Sequence, residues 1–159
     1  FHPRRNKWIA EFYFKPMAPG PLCRKVGKSN IGYHLDVLRN GDLRVYCGFN
    51  PDCLEMVQTI KANLLDGKYH HLLVEVDQNR SQPCRVYVDG RLMDLESKPL
   101  PAESGKDGSG YFLIGHDGSA YLPCEIDFFR FALGTLAEAE TTIEALHDWQ
   151  FSTMRPPGS

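Results

Sequence analysis

The sequence predicts an all-β protein: a two-sheet antiparallel jelly-roll sandwich with one short C-terminal helix. Apolar and polar residues alternate with a period of two through most of the 159 residues, Asn-Gly and Asp-Gly turns separate the alternating stretches, and apolar residues adopt helical spacing only near the C-terminus. Many short strands and a single terminal helix pack as two sheets around one core. A chain of this length buries about two-thirds of its unfolded surface and needs no metal or disulfide staple. We therefore expect one domain over residues 1–148 and a tail over 149–159 that ends in Pro-Pro-Gly-Ser.

The first strand is expected over residues 8–15, with Trp8, Ala10, Phe12 and Phe14 on one side of the pleat and Ile9, Glu11, Tyr13 and Lys15 on the other. Pro16, Pro19 and Pro21 interrupt it, and a short strand resumes over 23–28. The clearest hairpin spans 33–49. Tyr33, Leu35 and Val37 alternate with His34 and Asp36, the chain turns through Asn40-Gly41, and Leu43, Val45, Cys47 and Phe49 alternate with Arg44, Tyr46 and Gly48. Asn-Gly suits such a turn because both residues tolerate positive φ, which matches the twist of the paired strands. A weaker strand over 54–62 leads to the turn Leu65-Asp66-Gly67.

Over 70–77, Leu72, Val74 and Val76 share one face and His71, Leu73, Glu75 and Asp77 the other. A polar loop through Asn79, Arg80 and Ser81 enters the strand 84–88, and Asp89-Gly90 turns the chain into 91–94. Cys47 and Cys84 fall in phase with valines, which places both thiols inside. Residues 97–110, rich in Pro, Ser and Gly, read as a surface loop. Strands follow over 111–115 and 124–133, and Asp127, in phase with Phe129, Phe131 and Leu133, is expected as an inward carboxylate held by hydrogen bonds. Thr135 with Glu138 forms a capping box that opens a helix over 136–148, with Leu136, Ala139, Ile143 and Leu146 on one face.

The formal net charge of −2 lacks the basic excess that a phosphate backbone demands, so no nucleic-acid partner is expected. Apolar runs such as 72–74 are far too short to cross a bilayer, so no membrane partner is expected either. A first residue of Phe1 suggests a processed product or a module of a longer protein. Five cysteines cannot all pair internally, and none forms a CxxC. Cys47 and Cys53 would close a small loop in an oxidising compartment, but buried free thiols are the simpler expectation.

The ordered set of motifs resembles the laminin-G-like jelly rolls of the concanavalin A-like lectin and glucanase superfamily. The carrying residues are Trp8 to Pro16, then Gly32-Tyr33-His34-Leu35-Asp36-Val37 with its Asn-Gly turn, then Asp66-Gly67-Lys68-Tyr69-His70-His71-Leu72. Val86-Tyr87-Val88-Asp89-Gly90, Phe112-Leu113-Ile114-Gly115, Glu125-Ile126-Asp127-Phe128-Phe129-Arg130 and Leu136 with Glu138 to Glu140 complete it, so the resemblance covers residues 8–146. Tyr69 stands where that family usually has Trp. The family also usually has a further strand or two before the position of Trp8, so either this chain lacks that segment or the tail around Trp149 and Phe151 supplies the missing edge cover. Many relatives bind calcium through an early acidic loop. Calcium needs about six to eight oxygen ligands and no Asp-rich loop is visible, so no cofactor is expected and calcium is unsupported.

The superfamily includes glycan-cleaving enzymes, whose retaining members need two carboxylates about 5 Å apart. Glu125-Ile126-Asp127 looks like the start of such a motif, but Arg130 and Phe131 stand where the second glutamate belongs. A noncatalytic chain is expected on that ground. His70 and His71 leave a strand on opposite faces and cannot share a metal ion. There is no Gly-x-Ser-x-Gly elbow, and the glycine-rich run 105–110 lacks phosphate-loop order.

A binding surface remains. The sheet face opposite the core would carry Glu11, Tyr13, His34, Asp36, Arg44, Tyr46, His71, Glu75, Arg85 and Tyr87. Flat rings beside charged hydrogen-bonding groups suit sugars, which have apolar faces and hydroxylated edges. The expectation is a noncatalytic carbohydrate-binding module of a larger secreted protein, partnered by an oligo- or polysaccharide and by adjoining domains. Tyr13, Tyr46 and Tyr87 would stack on sugar rings, His71, Glu75, Arg85 and Asp117 would supply hydrogen bonds, and His116 and Tyr121 would form an end wall. The competing readings are a structural or protein-interaction module, in which the tyrosines merely pair across strands, and a glycan-active enzyme with an unfamiliar site.

Overall fold

Period-two alternation becomes two packed sheets in the computed structural model, which describes residues 7–26, 32–50, 53–100 and 112–151. In chain order the elements are β1 (Lys7–Pro16), β2 (Gly20–Val26), β3 (Gly32–Val37), β4 (Leu43–Asn50), β5 (Cys53–Thr59), β6 (His70–Asp77), β7 (Cys84–Val88), β8 (Arg91–Leu92), β9 (Leu95–Ser97), β10 (Leu113–Ile114), β11 (Cys124–Leu133) and the helix α1 (Ile143–Phe151). A five-stranded sheet has the order β11-β1-β6-β7-β8, and a six-stranded sheet the order β10-β2-β3-β4-β5-β9. All pairings are antiparallel. This is the predicted jelly-roll sandwich.

The dry faces meet in one core. Trp8, Ala10, Phe12 and Phe14 of β1, with Leu72, Val74 and Val76 of β6 and Val86 of β7, pack against Leu35, Leu43, Val45 and Val57 of the other sheet. Rings fill the β11 side: Phe12 lies 4.8 Å from Phe129, Phe112 stacks 5.4 Å from Phe129, and Tyr33 stacks 5.2 Å from Phe131. The chain turns at Asn40-Gly41 as expected, but only Gly41 takes a positive φ, at 80°. Next to it Asp42 is buried and pins the chain as it leaves β5: its carboxylate accepts from Asn40 (2.7 Å), Thr59 Oγ1 (3.2 Å) and the Ala62 amide (2.8 Å).

Several expectations need correction. Asp127 is exposed, not inward, because the β1–β11 register shifts between Tyr13 and Phe14. Tyr13 pairs with Phe128 and Phe14 with Ile126, so Asp127 is the extra residue of a β-bulge, which breaks the phase read from Phe129. Asp127→Ala should therefore change the unfolding free energy by no more than about 0.5 kcal/mol in a urea titration, the range of an unremarkable surface site. A loss of several kcal/mol would restore the inward carboxylate.

The capping box does form: the Thr135 amide donates to Glu138 (3.0 Å) and the Glu138 amide to Thr135 Oγ1 (3.2 Å). It closes a single turn rather than opening a helix over 136–148, because Glu140 takes φ 52° and ends it. Thr142 then caps α1 through the Ala145 amide (3.2 Å). The strand expected over 23–28 starts at Gly20 and carries an irregularity between Pro21 and Cys23, where the missing proline N–H is tolerated. The strand expected over 54–62 stops at Thr59, since Lys61 and Asn63 adopt φ 60° and 55°. Strand β9 falls between the strand expected over 91–94 and the loop expected over 97–110, meeting that loop only at Ser97, and residues 101–111, including the glycine-rich run, lie outside the described residues.

Cys23, Cys47 and Cys84 are buried free thiols and Cys124 is half-buried and free. Cys47 hydrogen-bonds with Cys84, and that bond and burial raise its pKa. It is thus not bridged to Cys53, whose side chain lies outside the described residues. His70 and His71 do leave opposite faces. Both ring nitrogens of His70 lie 2.9 Å from carboxylates, Asp89 and Asp66, and the Asp89 bond foremost raises its pKa.

Candidate functional site

The residues expected to share one sugar-binding face lie on opposite sides of the sandwich. Glu11, Tyr13, His71, Glu75, Arg85 and Tyr87 belong to the five-stranded sheet, whereas His34, Asp36, Arg44 and Tyr46 belong to the six-stranded one. Alternation tells which way a side chain leaves its strand but not which sheet the strand joins.

The outer face of the five-stranded sheet is occupied by the chain itself. Leu136 and Ile143 pack on Ile9 and Leu73, with Tyr87 and Leu146 against them. His71 and Glu75 are buried beneath this cover, at 0% and 2% exposure. His71 Nε2 donates to Glu11 (2.8 Å), whose other oxygen lies 2.5 Å from Arg130. Glu75 accepts from Arg80 and from the Leu136 amide (2.7 Å). Both are structural polar groups rather than parts of an open surface. Tyr13 packs 5.1 Å from Tyr69, whose hydroxyl donates to Glu125 (2.6 Å), and Lys15 also pairs with Glu125 (2.6 Å). Arg85 is exposed on this side, directly across from the buried Glu75 on the neighbouring strand.

Among the described residues no helix packs on the outer face of the six-stranded sheet, although Tyr46, Met56 and Gln58 on it are buried, and strand register lays two rows of side chains across it. One runs Arg24, His34, Tyr46, Met56, and the next runs Asp36, Arg44, Gln58, Glu96. A groove of about 460 Å³ lies over them, lined by His34, Arg44, Met56, Gln58, Lys98 and Pro99. The His34 and Tyr46 rings stack at 4.8 Å and 19° beside it.

Loop residues between β10 and β11 join this face at its β2 side. Asp117 Oδ2 lies 3.9 Å from Arg24. Its other oxygen accepts from the Ser119 and Ala120 amides (both 2.8 Å) and from Ser119 Oγ (2.9 Å), and these bonds outweigh burial to hold the carboxyl below its usual range. His116 and Tyr121 stack at 5.7 Å, leaving Tyr121 77% exposed. The loop sits so close on β2 that a Cβ at Gly20 would stand 2.7 Å from the Tyr121 carbonyl oxygen.

Electrostatics sharpen the groove. Burial, helped by Arg24 and Arg44, pushes the His34 pKa down to about 4, so at neutral pH its imidazole is an uncharged hydrogen-bonding group. Burial pushes the Asp36 carboxyl up to about 6, with Arg44 and Arg24 opposing and Asp117 adding to the rise. Lys98 pairs with Glu96 at 2.6 Å. Arg44 Nε is buried with no hydrogen-bond partner, and Arg44 forms no ion pair among the described residues. Such a group offers a donor to whatever enters.

Of the predicted site residues, the fold thus gathers Tyr46, His116, Asp117 and Tyr121 on one face and leaves Tyr13, His71, Glu75, Arg85 and Tyr87 on the other; Tyr46, expected to stack on a sugar ring, is itself buried beneath that face. Met56, Gln58, Lys98 and Pro99 were missed. The first two are in phase with Tyr46 and Arg44 once the β4–β5 register is known, whereas Lys98 follows an edge strand with no alternation to mark it. Among the described residues, no three His, Cys, Asp or Glu side chains converge as metal ligands, and no helix is long and apolar enough to cross a membrane.

No family model matches the chain, and no curated protein matches it in sequence. Solved structures match it in shape. The carbohydrate-binding module CBM40 of the Ruminococcus gnavus IT-sialidase superposes with a TM-score of 0.63 at 12% identity, over 90% of this chain and 84% of that one. The binding domain of Paraclostridial Mosquitocidal Protein 1 gives 0.64 at 17%, over 92% of this chain and 38% of that one. A structure of botulinum neurotoxin type C gives 0.61 at 14%, over 93% and 37%. At these identities the likeness is one of fold: a jelly-roll β-sandwich.

Proposed function

We propose that this chain is a noncatalytic carbohydrate-binding module of a secreted protein, with laminin-G-like character, that takes an oligosaccharide into the groove on the six-stranded sheet. The observation that carries the reading is the groove itself. Its lining combines the uncharged His34 imidazole, stacked on the buried Tyr46, with the Met56 side chain, the Gln58 amide and a guanidinium whose Nε lacks a hydrogen-bond partner, the mixture of apolar area and fixed hydrogen-bonding groups that sugars require. Gln58 and His34 would bond ring hydroxyls, Tyr46 would support the platform, and Asp117 with the exposed Tyr121 and His116 would border the β2 end. The similar structures support the reading by what their titles record: the Ruminococcus module is described bound to α2,3 and α2,6 sialyllactose, and type C toxin entry is described as dependent on two ganglioside molecules.

Screening the chain on a glycan array and titrating each hit by calorimetry tests this. Gln58→Ala should weaken binding about fivefold to tenfold, the value of one hydrogen bond with its partner left unmet. Arg85→Ala, on the opposite sheet, should leave it unchanged. Absence of any glycan binding, or equal loss from both variants, would overturn the proposal.

A further inference from the structure

We propose that the sugar taken by this groove is an acidic one, its carboxylate held by the Arg44 guanidinium in competition with the neighbouring carboxylate of Asp36. The inference rests on the groove being the glycan site and specifies what that site selects.

Among the described residues three cations border the face, and two are committed. Arg24 lies against Asp117 at 3.9 Å and Lys98 against Glu96 at 2.6 Å. Arg44 lines the groove with its Nε buried and unmet. Its cross-strand partner Asp36 sits instead 3.7 Å from His34 Nε2. A guanidinium presents a planar fork of donors that a carboxylate fills with two parallel charge-assisted bonds, while a hydroxyl fills it with one weaker bond. A desolvated, partly unmet guanidinium therefore discriminates in favour of an acid sugar over its neutral counterpart.

Asp36 sets the conditions. The charged groups facing it are Arg24 on β2, Arg44 on β4, Asp117 from the loop after β10, and His34 on its own strand. An ionised Asp36 beside Arg44 repels an incoming carboxylate; a protonated one does not. Burial, with Asp117, already holds its carboxyl up at about 6, and a bound carboxylate raises it further, so binding takes up a proton at pH values just above 6. Affinity for the acid sugar should rise as pH falls through about 6, by about tenfold between pH 7.5 and 5.5, the scale of two like charges several ångströms apart near a protein surface. His34, with its pKa near 4, remains neutral across that window and contributes no slope.

The test is calorimetry with 3′-sialyllactose and a glucuronic-acid disaccharide, each compared with its methyl ester and with a panel of neutral oligosaccharides. Titrations run at pH 5.5, 6.5 and 7.5 in buffers of different ionisation enthalpy. At least one acid should bind about tenfold or more tighter than its ester, with proton uptake at pH 6.5. Arg44→Lys should remove about tenfold from the acid and nothing from the ester. Asp36→Asn should tighten the acid at pH 7.5, flatten the pH dependence and abolish proton uptake, with thermal melts confirming that both variants are folded. Neutral glycans binding in a Gln58-dependent way, with no preference for either acid over its ester, would overturn the inference and leave the glycan site standing. Failure of acids, esters and neutral glycans alike would overturn both. An acid preference indifferent to Asp36→Asn would remove Asp36 from it.

Discussion

Replacing Glu11 by alanine should lower the unfolding free energy by about 3–5 kcal/mol, read as a shift of the guanidinium midpoint at unchanged slope. Glu11 and His71 have no exposed side-chain surface, and the pair meets at 2.8 Å. The second oxygen of the same carboxylate receives Arg130 at 2.5 Å. Removing the carboxylate strands the fully buried His71 imidazole where water cannot replace the lost acceptor, while Arg130, 41% exposed, loses its ion-pair partner. Glu11→Gln keeps the shape and one carbonyl acceptor, so it should cost clearly less. A loss below about 1 kcal/mol for the alanine variant would mean that the cover opens and hydrates the pair in solution.

Phe12→Ala should cost a similar amount, about 3–5 kcal/mol, for an unrelated reason. Phe12 is fully buried at the middle of β1, between β11 and β6, and its ring touches Phe14 and Phe129 at 6.1 and 4.8 Å. Truncation removes the transfer energy of the ring and leaves a cavity that paired strands on both sides cannot collapse into. Ile126→Ala, at a residue left 37% exposed on the edge strand β11, should cost clearly less, about 1 kcal/mol or below. Equal losses from the two would contradict the difference in burial.

The strands themselves were legible. Tyr33-Leu35-Val37 against Leu43-Val45-Cys47, and Leu72-Val74-Val76, announce their dry sides because burial on one face of a pleat leaves a period-two record. Three things leave no such record. Sheet membership is decided by long-range pairing, so His71 and His34 look alike in sequence yet one is sealed under a turn and the other borders a groove. A bulge moves the phase of every residue beyond it, which is how Asp127 came to be misplaced. A left-handed residue such as Glu140 divides a helical signal in two although nothing in its side chain demands that conformation. The candidate site was half-visible for the same reason: Tyr46 and Asp117 could be named, but the neighbours that make them a site come from β5 and from the residues after β9.

Along β3, β4 and β5 the residues that hold the sandwich together and those that line the groove occupy successive positions: Leu35 beside His34, Val45 beside Arg44, Val57 beside Met56 and Gln58. Each strand is thus a two-sided page, with His34, Arg44 and Lys98 only half-buried on the groove side. Positions 34, 44 and 98 can be randomised together while the core residues and the buried Met56 and Gln58 are retained, so a combinatorial library built on this sheet should yield folded members with altered recognition far more often than one built on the covered sheet, where the outward Glu11, His71 and Glu75 are themselves part of the interior.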